Sequence, residues 1–306
     1  MEFIKSKTLT LFKSSKGRLQ TQFCELTGVA PATAKKYLES SRYDLPRAID
    51  AYFNRHPNKA SAGSVNVDKT NPKDIAALNA VFDNYKDPED NNQIDIDGTL
   101  RYLEDMDITP EDLSSLTLAY LLKSPRMGIF LRDSFVKIWE QHNCIDIPSM
   151  KQFLTKFHKA LINGELNYTD VTTGEPATFQ KLYEFAFKFS LELENQKVLD
   201  FEISTEYWKL LIPVIINQYI KENNPIDEEY ENKVNERIEQ WYKFLTEPDY
   251  ITKKSISHDS WSMFYLFLKE VVLPDPENFK DYDEMAAWPS IVDEYIEYLR
   301  DTNLLT

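Results

Sequence analysis

The chain has 306 residues, 42% hydrophobic and 13% aromatic, with a formal net charge of −15 and seven glycines. That length holds one large domain, or one large and one small, and the apolar content is ample for a core. So few glycines argue against a β-rich or dinucleotide-binding fold, and the acidity disfavours nucleic acid, where affinity comes from neutralised phosphates, while favouring basic protein partners.

In chain order, residues 1–18 read as a basic tail: Lys5, Lys7, Lys13, Lys16 and Arg18 stand against one acid, with no cleavage signature. Residues 19–57 read as a compact three-helix unit. Phe23 and Leu26 mark its first helix, and Thr27-Gly28-Val29 a turn. Pro31 to Ser40 is the second helix, with Ala34, Tyr37 and Leu38 on one face. Asp44 caps the third, where Pro46 fits the first turn and Ala48, Ile49, Tyr52 and Phe53 are apolar. Residues 58–71, small and polar, form an expected linker.

From 72 to 301 helical periodicity predicts one large helical domain. Four apolar stripes carry it: Ile75, Leu78, Val81, Phe82 and Tyr85; Leu182, Ala186, Phe189 and Leu193; Val234, Ile238, Trp241 and Leu245; and Trp261, Phe264, Tyr265 and Leu268. Residues 163–176 and the acidic stretch from Asn223 to Glu231 are expected loops. Near the end, Trp288-Pro289 reads as a helix start with proline in the first turn. Val292, Tyr295, Ile296 and Leu299 then face the core, leaving Asp293, Glu294 and Glu297 largely on the other side. Negative charge on a rigid frame suits docking on a basic partner better than chemistry.

Reactive groups are sparse. Asp87 to Gly98 resembles an EF-hand calcium loop, with Asp87, Glu89 and Asn91 at positions one, three and five and Ile94 at the paired-strand position. Asn92 replaces the sharp-turn glycine and Gly98 the bidentate glutamate, so a degenerate, metal-free, EF-hand-like helix–loop–helix is expected. His56, His142, His158 and His258 are scattered without ligand spacing, and no serine elbow accompanies His258-Asp259. Cys144 has nothing nearby to lower its pKa. Cys24 and Cys144 make no disulfide or metal pattern, which points to a reducing interior. No apolar run reaches membrane-spanning length. The expectation is an intracellular protein of the nucleus and cytoplasm with no catalytic residue, cofactor, metal, nucleic acid or membrane partner.

Family resemblance adds to this reading. The motifs of residues 19–57, from Phe23 through Thr27-Gly28-Val29 to Ala48-Ile49 and Tyr52-Phe53, resemble a ubiquitin-associated (UBA) domain. Over residues 72–300, Asn84-Tyr-Lys-Asp-Pro88, Ile94-Asp-Ile-Asp-Gly98, Phe185-Ala-Phe-Lys-Phe189, Glu206-Tyr-Trp-Lys-Leu210, Ile256-Ser-His-Asp-Ser-Trp261 and the Tyr282-Asp-Glu-x-x-Ala-Trp-Pro289 segment occur in one order. Together they resemble the fungal form of the defective-in-cullin-neddylation family, which joins a UBA domain to a potentiating-neddylation domain. A longer stretch between Pro213 and Trp241 departs from the family's pattern and obscures local helix boundaries.

The resemblance implies a scaffold-type ligase that holds no thioester of its own. It would bring a cullin winged-helix domain and an N-terminally acetylated conjugating enzyme together, with the cullin-associated RING protein as co-ligase. It places cullin contacts on Asp259, Ala287 and Asp293, although spacing alone also reads Asp259 as the N-cap of a Ser260–Val272 helix. It places the acetyl-methionine pocket on Leu103, Leu118, Leu122, Met127, Phe130, Phe189, Tyr207 and Leu210. Ubiquitin or the modifier would contact Gly28, Val29, Tyr52 and Phe53. The competing readings are a calcium-responsive EF-hand-like sensor and a ubiquitin-binding adaptor.

Overall fold

The computed structural model describes residues 19–20, 23–24, 29, 31–41, 43, 47–48, 51–52 and 71–305, apart from 171, 194, 224–227 and 253–254. The chain divides into two compact units, residues 1–71 and 72–306.

In the small unit, α1 (Pro31–Ser40) starts on a proline, whose missing N–H costs nothing in a first turn. Its buried Ala34 and Leu38 meet Phe23, Ala48 and Tyr52 in one core. The Tyr37 and Tyr52 rings meet edge-on with centroids 5.3 Å apart. The expected Asp44 cap and Pro46, with Leu26, Gly28, Ile49 and Phe53, lie outside the described residues, as do the basic tail and the linker up to residue 70.

The large unit is mostly helical. It begins with α2 (Pro72–Asp83), β1 (Gln93–Ile94), α3 (Ile96–Asp105), α4 (Leu113–Leu121), β2 (Phe130–Leu131), α5 (Arg132–Gln141) and α6 (Ile147–Ile162). It continues with α7 (Phe179–Phe189), β3 (Val198–Asp200), α8 (Phe201–Asn223), α9 (Glu228–Phe244), β4 (Ser255–Ser257), α10 (His258–Phe267) and α11 (Ser290–Asp301). Capping side chains set several starts. Asp95 accepts from Gly98 N at 2.8 Å, Asp146 and Ser149 cap α6 reciprocally, and Thr178 accepts from Lys181 N.

Ile94 pairs with Phe130 in the antiparallel β1–β2 ladder, which joins the α2–α3 and α4–α5 helix–loop–helix segments. Gly98 is required there, because a Cβ would stand 1.8 Å from the Tyr85 carbonyl oxygen. No glutamate fits at that position. Arg132 ties the first loop down: its Nε donates to Asn91 O at 2.8 Å and its Nη atoms to Asn79 Oδ1 and Asp83 Oδ1. Its guanidinium carbon also lies 4.3 Å from the Phe82 ring centroid.

Beyond α7 the core is aromatic. Trp208 stacks on Trp261 with centroids 5.2 Å apart, and Trp241 on Phe264 at 4.2 Å. Their buried polar edges are partly satisfied through Tyr183. Its hydroxyl donates to Trp261 O and accepts from Trp208 Nε1, each at 2.9 Å.

Four sequence expectations change. Leu193 is exposed, because α7 stops at Phe189 with Ser190 as its cap. The acidic run after residue 227 is not loop: Glu228, Glu229 and Glu231 form the first turn of α9, where the helix dipole favours carboxylates. Pro289 is the N-cap of α11, one place before its first turn. The Ser260–Val272 helix begins earlier, at His258, and its end is a π-helical turn over Leu268–Val272.

Candidate functional site

The segment before α10 is strand β4, paired antiparallel with β3. Its last residue, Ser257, caps α10 by accepting from Ser260 N at 3.0 Å. Asp259 is therefore not the cap; it lies exposed in the helix's first turn, its carboxylate favoured by the dipole. Two residues on, Trp261 is buried and its Nε1 donates to Tyr183 O at 2.9 Å, so the turn that carries Asp259 is fixed to the core.

α11 packs against α10. Its apolar face, Ile291, Val292, Tyr295, Ile296, Tyr298 and Leu299, is buried, leaving Asp293 and Glu297 exposed. Asp293 Oδ1 accepts from the Tyr282 hydroxyl at 2.7 Å. Ala287 is exposed in the segment leading into α11. The structure thus puts Asp259, Ala287 and Asp293 at the surface on α10, α11 and the approach to α11.

Buried Arg237 of α9 braces this region from beneath. Its guanidinium donates to the carbonyls of Pro276, Glu277 and Leu304 and to Gln240 Oε1, at 2.6–2.9 Å. Its own carbonyl accepts from Tyr295 OH at 2.7 Å. One side chain so ties together α9, the turn after α10 and the chain beyond α11. Sequence reasoning missed it, although Arg237 follows Val234 by three and precedes Trp241 by four, on the inward stripe.

The proposed acetyl-methionine set divides. Leu103, Leu118, Leu122, Phe130 and Phe189 are buried in the main core, and Tyr207 and Leu210 are half-buried against it. Met127, 58% exposed, is at the surface. Sequence reasoning passed over two exposed apolar residues one helical turn apart on α3, Ile96 at 60% and Leu100 at 48%. Ile96 lies beside Gly128, the chain neighbour of Met127: a Cβ on Gly128 would meet Ile96 Cγ1 at 3.2 Å, and Thr99 Oγ1 donates to Gly128 O at 2.9 Å. Of the ubiquitin-contact set, Val29 is half-buried and Tyr52 is a core residue; Gly28 and Phe53 are outside the described residues.

Cys144, His258 and Asp87 each have partners within the fold. Cys144 is buried, its thiol bonding toward His142 O and Ser149 O, and burial pushes its pKa up. His258 Nε2 lies 3.3 Å from Glu184 Oε2. Asp87 spends both carboxylate oxygens within its loop, on Glu89 N at 2.7 Å and Gln93 Nε2 at 2.9 Å. Among the described residues no three His, Cys, Asp or Glu side chains are grouped to hold a metal ion. The surface formed by α10, α11 and the approach to α11 carries the exposed carboxylates of Asp259, Asp293 and Glu297.

A cullin-binding family profile matches residues 150–298, and a UBA-like domain profile matches residues 21–58. The chain is 56% identical over 299 residues to Defective in cullin neddylation protein 1 of Candida albicans, covering 95% of this chain and 100% of the relative. It is 30% identical over 275 residues to the protein of that name in Yarrowia lipolytica, covering 90% and 93%. With the Saccharomyces cerevisiae protein of that name it shares 29% over 283 residues, covering 91% and 92%. The chain belongs to the defective-in-cullin-neddylation family.

Proposed function

We propose that this protein promotes cullin neddylation as a scaffold: it binds a cullin winged-helix domain and an acetylated conjugating enzyme together and contributes no reactive group. The observation that carries this reading is the pairing of a cullin-binding family match over residues 150–298 with exposed Asp259 and Asp293 on core-anchored helices. Carboxylates so placed pair with Lys or Arg on a basic partner, and small Ala287 lets the partner backbone approach. Rate enhancement then comes from proximity: a cullin lysine held beside the charged conjugating enzyme reacts at a raised effective molarity.

The conjugating enzyme's acetylated N-terminus goes to the apolar pocket that the family resemblance implies, of which Met127, Tyr207 and Leu210 are the members that are not fully buried. Acetylation removes the terminal charge, so burial there desolvates no ammonium. The cullin-associated RING protein acts as co-ligase, and the UBA-like unit takes ubiquitin or the modifier. A calcium-sensor role is disfavoured by Gly98, where no carboxylate ligand fits.

Reconstituted cullin modification, with and without the chain and with acetylated or unacetylated conjugating enzyme, tests the proposal. A rate raised by the chain, and raised more with the acetylated enzyme, is expected. An unchanged rate, or a covalent adduct of the modifier on this chain, would overturn it.

A further inference from the structure

We infer that the segment from Tyr282 to Trp288 is a preformed contact clip, in which Tyr282 orients the Asp293 carboxylate and Met285 supplies an apolar contact to the partner. The inference rests on the cullin-binding reading of α10 and α11. Met285 is 92% exposed, so its thioether side chain gains almost nothing from the fold. The backbone beneath it is nevertheless held. Asp283 Oδ1 accepts from Met285 N at 2.8 Å, Asp283 O from Ala286 N at 3.1 Å, and Ala286 O from Trp288 N at 2.9 Å.

The segment is also fastened at both ends. The Trp288 ring meets Phe267 of α10 edge-on, with centroids 5.8 Å apart. Two side-chain ties reach α11: the Tyr282 hydroxyl to Asp293 Oδ1 at 2.7 Å, and the Glu284–Arg300 ion pair. Burial, then the neighbouring Asp293 carboxylate, push the Tyr282 pKa well up, so the hydroxyl keeps its proton and remains the donor. An exposed aspartate without such a tie pays rotamer entropy when a partner engages it. Tyr282 removes part of that cost by holding one oxygen, while Oδ2 and the remaining lone pair stay open to a Lys or Arg donor. Methionine is flexible and polarizable, which suits an apolar socket on a surface otherwise basic enough to meet Asp283, Glu284 and Asp293. Tyr282 is thus a positioning residue, and Met285 a contact residue.

Calorimetry of the full chain against a purified cullin winged-helix domain tests this, with melting curves for each variant. Tyr282→Phe is expected to weaken binding by about three- to tenfold, the worth of one hydrogen bond. On an Asp293→Asn background the same change should cost clearly less, and on Asp259→Asn as much as in the unaltered chain. A residue needed only for folding would show no such coupling. Met285→Ala, at a site that truncation cannot destabilise, is expected to weaken binding about fivefold. If Asp259→Lys and Asp293→Lys lose affinity while Tyr282→Phe or Met285→Ala binds as the unaltered chain does, the clip is overturned and the cullin reading stands. Equal cost of Tyr282→Phe with and without Asp293 likewise overturns the positioning role. An unaltered chain with no affinity for the cullin domain overturns both readings.

Discussion

A methyl group at position 98 would press on the Tyr85 carbonyl, and a backbone oxygen cannot swing aside as a side-chain terminus can. Gly98→Ala is therefore expected to cost about 2–4 kcal/mol of stability, read by urea denaturation, although it adds one carbon. A loss within about 0.5 kcal/mol would rule out the close approach as the reason for glycine. Asp170 offers a second test, through pH. Burial alone would raise its pKa from 3.8, but the Lys123 ammonium and the hydroxyl and N–H of Thr172 outweigh that and hold it at about 2. A carboxyl held lower in the folded than in the unfolded chain contributes its full stability above the unfolded value. That contribution drains away as pH falls from 3.8 towards about 2. Asp170→Asn should thus lower the melting temperature at neutral pH and narrow its gap from the unaltered chain across that acid window. A constant gap would show that the carboxylate is not held down by its donors.

At the scale of helices, Arg237 shows what one residue does for an element. Four acceptors, three of them backbone carbonyls from outside α9, depend on its guanidinium. Arg237→Met keeps apolar bulk but strands those acceptors, and about 3–5 kcal/mol of destabilisation is expected. Hydrogen exchange should quicken around residues 276–279 and 299–305; unchanged protection there would deny Arg237 its bracing role. The inward stripe of α9 was legible in Val234, Ile238 and Trp241, continued by Leu245 just past its end and all buried, but the arginine among them was hidden by its charge. The same contrast holds elsewhere. Most of the core face of α11 followed from spacing: Val292, Tyr295, Ile296 and Leu299 are buried as read, and Ile291 and Tyr298 join them. Helix ends were harder to read. Ser255, Ser257, Asp259 and Ser260 are all cap-type residues within six positions, and local propensity cannot rank them. Pairing of β4 with β3 decided it, by holding residues 255–257 extended and starting the helix at His258. Leu193 continued a helical spacing past a helix that had already ended at Phe189. The division of the proposed acetyl-methionine set between core and surface was invisible in sequence for a related reason, since Leu118 and Met127 are equally apolar as letters.

For the whole molecule, a formal charge of −15 means that long-range attraction will shape encounter with any basic partner. Affinity for a cullin winged-helix domain is expected to fall steadily as salt rises, because exposed charge pairs are screened over a Debye length of about 8 Å at physiological ionic strength. An affinity flat across that range would move the interface from carboxylates to apolar contacts. The division into two units permits a sharper test. Among the described residues, the buried core of the large unit begins at Leu78, and the small unit has a core of its own around Phe23, Ala34, Leu38, Ala48 and Tyr52. Removing residues 1–71 leaves the whole second compact unit, with the helices that carry Asp259 and Asp293. The truncated chain should melt within a few degrees of the full one and retain its stimulation of cullin modification in a reconstituted reaction. Were the stimulation lost while the melting curve held, the small unit would be the acting part. The protein would then work as an adaptor for ubiquitin or its relatives, with the large unit its anchor.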